Sequence, residues 1–111
     1  MRRRRLTPRG SGNGESAKYY TDPAERPRWA RLERPDGGGL HVSWEGAAIR
    51  TLGIWIDRAG YATEDVVAFE PATGWYDSLE RAERNGQVLR LAARERAEWS
   101  VSLAPLLPTR R

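Results

Sequence analysis

Six side chains have the types and spacing for recognition chemistry: Trp55, Asp57, Glu70, Trp75, Tyr76 and Asp77. Aromatic faces beside carboxylates suit a sugar, whose axial C–H groups pack on a ring while its hydroxyls donate to acidic oxygens. The same residues also admit a plainer arrangement, with Trp55 and Trp75 in core or rim packing and Glu70 as an edge charge. Glu70 sits in VVAFEPATGWYDSL, residues 66–79, where a run of strand formers meets Pro71. Proline removes a ladder donor, so the spacing predicts that the strand ends there and that Glu70 stands at a sheet end where a pocket could open.

The remaining inventory is thin. His41 is the only histidine and falls at an outward position of a strand whose other face carries Leu40, Val42 and Trp44. Alternation makes it a solvent-facing strand residue. There is no HxH, HExxH or carboxylate cluster of metal spacing, so no metal site is expected. With no cysteine, disulfides and thiolate catalysis are excluded. Gly37-Gly38-Gly39 has no helix behind it to bind phosphate, and neither a P-loop nor GxGxxG is present, so no cofactor is expected.

Strands must position these groups, because the hydrophobic period is mostly two. Leu40, Val42 and Trp44 alternate with polar residues. In residues 51–57, Leu52, Ile54 and Ile56 share one face while Gly53, Trp55 and Asp57 share the other. Val66 to Glu70 forms a further strand. Val88 to Ala93 and Glu98 to Leu103 are expected to pair with each other, and Lys18 to Thr21 and Trp29 to Glu33 are weaker strands. The Pro35–Gly39 stretch is a turn signal. One short helix is expected at Ser78–Arg84, capped by Asp77 or Ser78 and closed by Asn85-Gly86. The pattern predicts an all-β fold, an antiparallel β-sandwich with one short helix.

The sequence has 111 residues, one small domain's worth or a piece of a larger one. Residues 1–16 contain little beyond Leu6 to bury and read as a disordered basic leader. Residues 17–105 are the part expected to fold, and 106–111 a tail. The net charge of +4 comes from the ends, since Arg2, Arg3, Arg4, Arg5, Arg9, Arg110 and Arg111 are all basic. Without those seven, twelve basic residues face fifteen acidic ones, a net charge of −3. The body thus lacks a phosphate-tracking surplus, which argues against nucleic acid as a partner; the leader alone would give only salt-sensitive, non-specific attraction. No apolar run reaches membrane-spanning length and no hydrophobic signal segment follows the arginines, so a cytoplasmic location is expected.

Leu52-Gly53-Ile54-Trp55-Ile56-Asp57, then Val67 to Gly74, then Tyr76-Asp77-Ser78-Leu79 resembles the galactose mutarotase-like family, which includes the aldose 1-epimerases. The resemblance covers roughly Lys18 to Leu103 and is to the C-terminal portion of that family, whose last hairpin the Leu91–Leu103 region is similar to. It implies a partial β-supersandwich and a monosaccharide or sugar derivative as ligand. It also implies that Glu70 matches the glutamate that takes the proton from the anomeric hydroxyl, while a histidine protonates the ring oxygen. Trp55, Trp75, Tyr76 and Asp77 would line the rim. The family's acidic and sugar-positioning histidines lie in a larger N-terminal part that this sequence lacks, and His41 does not match them. Tyr76 replaces the proline of the usual Pro-Asp-Ser element, and Pro71 stands where many members have a polar residue. The resemblance therefore implies a truncated or split gene product, inactive alone, with the arginine leader a non-native start. An incomplete sheet of this kind is expected to self-associate through exposed strand edges. A non-catalytic interaction module and a nucleic-acid-associated protein acting through the leader are the alternatives.

Overall fold

A computed structural model describes residues 14–109; most of the arginine leader lies outside the described residues. Six strands form two antiparallel three-stranded sheets, so the all-β expectation holds. One sheet has the order β1 (Ser16–Tyr20), β4 (Thr51–Arg58), β5 (Asp65–Ala72). The other has β2 (Trp29–Glu33), β3 (Gly39–Glu45), β6 (Ser100–Leu106). Helix α1, Leu79–Arg84, is N-capped by Ser78, whose hydroxyl accepts from the Arg81 amide at 3.2 Å. Gly86, at φ +68°, follows its C-terminus. Among the described residues no helix is long and apolar enough to cross a membrane.

The two-residue period decides which faces meet. Leu52 of β4 and Ala30, Val42 and Trp44 of the second sheet are buried in one cluster with Ile49, and Leu40, Ile54 and Phe69 pack against it. Trp44 also donates its indole N–H to the Pro27 carbonyl at 2.9 Å, so its burial leaves no orphaned donor. The opposite face of the first sheet carries Lys18, Tyr20, Gly53, Trp55 and Glu70, by the registers Lys18↔Trp55↔Ala68 and Tyr20↔Gly53↔Glu70. At the turn between β2 and β3, Gly39 at φ +157° runs so close to the Leu32 carbonyl that a Cβ would collide with it.

Two expectations need correction. Residues 88–93 form no strand and do not pair with 98–103; β6 pairs with β3 instead, over the full register Gly39↔Leu106 to Glu45↔Ser100. That register sets Val101, Leu103 and Pro105 beside Trp44, Val42 and Leu40, an apolar match a local hairpin with Arg90 would lack. The intervening chain turns instead at Ala92–Glu95, where the Glu95 amide donates to the Ala92 carbonyl at 3.0 Å and the Glu95 carboxylate accepts from the Ala92 amide at 3.0 Å.

Pro71 does not end β5, which continues to Ala72. The Leu52 amide and carbonyl are both engaged with Thr21 of the β1 side, at 3.0 Å each. Leu52 and its partner Pro71 are therefore a non-hydrogen-bonded pair, and the donorless nitrogen of Pro71 faces the free edge of the sheet. Backbone bonds also anchor the chain on either side of the outermost strands, Ser16–Tyr20 and Ser100–Leu106. β1 starts at Ser16, Gly14 donates to the Arg58 carbonyl at 2.7 Å, and Thr109 donates to the Asp36 carbonyl at 2.8 Å.

Candidate functional site

The site begins with β1, a strand whose alternation puts Lys18 and Tyr20 on one face. Antiparallel pairing with β4 carries that face to Gly53, and β5 supplies Glu70 on the far side of Gly53. Lys18 and Glu70 close over the gap left by the glycine: a Cβ at Gly53 would lie 3.3 Å from Lys18 Cε and 3.4 Å from Glu70 Oε2. The Lys18 ammonium forms a short ion pair with Glu70 Oε2 and reaches Asp77 Oδ1 at 3.3 Å. One cation thus bridges two carboxylates that would otherwise repel each other.

The segment after β5 brings the aromatic groups. The Thr51 hydroxyl donates a short hydrogen bond to the Gly74 carbonyl, the Trp75 amide donates to the Gln87 carbonyl at 3.1 Å, and the Trp75 indole N–H donates to the Thr21 carbonyl at 3.1 Å. These anchors hold Tyr76 in the left-handed region at φ +78°, a conformation L-residues adopt at a cost of about 1–2 kcal/mol. The Tyr76 ring stacks on Tyr20 with centroids 4.4 Å apart and planes 18° from parallel, and meets Trp75 edge-on at 5.3 Å. The Arg81 guanidinium of α1 lies 4.7 Å from the Tyr76 ring centroid, and Lys18 Nζ 5.4 Å from that of Tyr20.

The electrostatics follow from this geometry. The Glu70 contact, helped by Asp77 and opposed by partial burial, raises the Lys18 pKa. Burial, with Asp77 alongside, pushes the Tyr20 hydroxyl up to about 12. That hydroxyl is buried and makes no hydrogen bond of good geometry, although it lies close enough to Asp77 for each group to shift the other. Tyr20 and then Lys18 hold Asp77 below the ordinary carboxylate range, against some desolvation. The cluster therefore sets the Lys18 ammonium between the Glu70 and Asp77 side chains, with the Tyr20 phenol beside them on an aromatic floor.

Of the candidates read from the sequence, Glu70, Trp75, Tyr76 and Asp77 come together here. Trp55 shares the face and is the cross-strand partner of Lys18, but its ring packs against Tyr61 at 5.9 Å. Asp57 is fully buried and has a structural task. Its carboxylate accepts from the amides of Gly60, Tyr61 and Ala62 at 2.8–3.2 Å, which closes the loop after β4 and lowers its pKa, Ala62 contributing most. Lys18, Tyr20 and Arg81 are the site residues the sequence reading passed over. The alternation of Lys18 and Tyr20 was visible, but not the pairing that brings them to Glu70. His41 is half-buried and stacks on Trp29 at 5.5 Å in the other sheet, far in the topology from Glu70. Among the described residues no group of three or more His, Asp or Glu side chains is arranged to hold a metal ion.

Comparisons with known proteins find no matching family model, no matching curated protein and no matching solved structure.

Proposed function

We propose that this chain binds a monosaccharide or sugar derivative at the Glu70 face, within a partial β-sandwich of the galactose mutarotase-like supersandwich type. The observation that carries the reading is the pairing of two carboxylates, Glu70 and Asp77, around Lys18 beside the Tyr20–Tyr76 stack. Carboxylate oxygens accept from sugar hydroxyls, the ammonium donates to ring or hydroxyl oxygens, and an aromatic face takes the C–H side of the pyranose. Catalysis by the isolated chain is a separate matter. Mutarotation needs a base at the anomeric hydroxyl and an acid at the ring oxygen. Here the would-be base Glu70 is engaged by Lys18, and His41, the sole histidine, lies in the other sheet.

The reading is therefore sugar binding related to aldose 1-epimerases, with little or no anomer interconversion by the chain alone. Calorimetric titration with glucose and galactose checks binding, which Glu70→Gln and Asp77→Asn are expected to abolish. Polarimetry with freshly dissolved α-glucose or α-galactose checks catalysis. A rate clearly above buffer that disappears in Glu70→Gln would overturn the inactive assignment, and absence of binding by either sugar would count against the ligand class.

A further inference from the structure

The outer edge of β6 presents hydrogen-bonding groups whose direction can be worked out. The Trp44 amide donates to the Arg28 carbonyl at 3.0 Å, toward β2 and away from β6. Trp44 and its β6 partner Val101 are thus a non-hydrogen-bonded pair, and the Val101 amide and carbonyl point away from β3. By the period of two, the backbone groups of Leu103 and Pro105 point the same way. β6 is the last strand of its sheet, and among the described residues no strand takes up this edge.

The face above that edge is equally open. Val42 and Trp44 are 4% and 2% exposed, yet Leu103 and Val101, their direct neighbours on the same side of the sheet, are 66% and 47% exposed. Trp99, just before the strand, is 50% exposed. The apolar layer of the core therefore runs on past the end of its cover. Edge strands are normally blunted by charge, and Ser100–Leu106 has no charged side chain.

We infer that a second copy of this chain occupies the edge, β6 pairing antiparallel with β6 about a two-fold axis through Ser102. The sequence around that axis is self-complementary. Centred on Ser102, Val101 faces Leu103 of the second copy, Trp99 faces Pro105, and Ser100 faces Ala104. The apolar residues all fall on the side where the core layer lies open, and the small ones on the other. Both free donors, the Val101 and Leu103 amides, find carbonyls, and Pro105 accepts from the Trp99 amide; the acceptor left without a donor, the Trp99 carbonyl, lies outside the strand. Moving the axis to Leu103 would set Pro105, which has no N–H, opposite the Val101 carbonyl. Moving it to Val101 would confine the pairing to Ser100–Ser102 of each strand, against Ser100–Ala104 for the Ser102 axis. With no charge on either strand, the two copies meet without like-charge contact, which a charged partner segment would gain nothing from.

The absence of cysteine makes the register directly testable in the full chain. At Ser102 the two copies form a non-hydrogen-bonded pair with Cα atoms about 4.5 Å apart, inside the range a disulfide spans. Ser102→Cys is expected to give a covalent dimer on mild oxidation at least roughly ten times faster than Ser100→Cys, whose partner position is Ala104. Sedimentation equilibrium of the unmodified chain is expected to show a monomer–dimer equilibrium, shifted to monomer by Leu103→Pro. That variant removes an edge donor that β3 does not use. A monomer at every concentration up to the solubility limit overturns the proposal. So does equal cross-linking at both cysteine positions, whatever the folding of the proline variant.

Discussion

Tyr20 makes a quantitative prediction about alkaline stability. Its pKa rises from the ordinary 10.0 to about 12, chiefly through burial. Between those values the folded protein holds a proton that the unfolded chain has released, so stability falls as pH rises through the window. Two units correspond to about 2.7 kcal/mol if nothing screens the hydroxyl. The ring is partly open to solvent, which reduces the expected figure to about 1–2 kcal/mol. Lys18, whose pKa is also raised, loses stability in the same direction. A variant must therefore separate the two. Tyr20→Phe keeps the stack on Tyr76 and removes only the titrating group. Urea unfolding followed by tryptophan fluorescence at constant salt, from about pH 9 to about pH 12, gives the two curves. The wild-type advantage over Tyr20→Phe, whatever its value near pH 9, is expected to shrink by about 1–2 kcal/mol across the range. Curves that stay parallel, or a gap that widens, would refute the burial of this hydroxyl. A tyrosinate absorbance titration offers an independent check, with a late-ionising group at Tyr20 that Tyr20→Phe removes.

Further outcomes are expected elsewhere. Trp44→Ala empties the centre of the core and orphans the Pro27 carbonyl, for a loss of about 3–5 kcal/mol in denaturant unfolding. Asp57→Ala frees three amides, so hydrogen exchange at Gly60, Tyr61 and Ala62 should accelerate; because the Asp57 pKa is lowered, its contribution is present above the ordinary carboxylate value and disappears as acid protonates it. Lys18→Met is expected to cost little stability, about 0–1 kcal/mol as for exposed ion pairs, but to weaken sugar binding by calorimetry because two carboxylates are left facing each other.

Much of this fold was legible because its signals are local. The alternation of residues 40–44 and 51–57, the glycine turn before β3 and the cap at Ser78 each depend on neighbours in sequence. What failed depended on partners far away. Nothing near Val101 and Leu103 announces that β3, some sixty positions earlier, offers a better apolar register than residues 88–93. Pro71 reads as a strand end until the hydrogen bonds of Leu52 show which way its nitrogen faces. In the site, the contiguous stretch Glu70 to Asp77 could be read as one cluster. Lys18, 52 positions from Glu70, could not, since only the β1–β4–β5 order brings it there. Trp55 and Asp57 were correctly set on one face, but the loop at 60–62 claimed both, one by ring packing and one by hydrogen bonds.

That same separation has a kinetic meaning. The Lys18–Glu70 and Trp75–Thr21 contacts close loops of 52 and 54 positions, and the Thr109–Asp36 bond spans 73. Contacts so far apart in sequence contribute only after the entropy of closing the loop has been met, which slows folding. β1 precedes both β4 and β5 in the chain, and the face that holds Lys18, Tyr20 and Glu70 requires all three strands and the Trp75 turn. The Glu70 face is thus assembled only in the finished molecule, and a ligand held there would favour the folded over the unfolded chain by mass action.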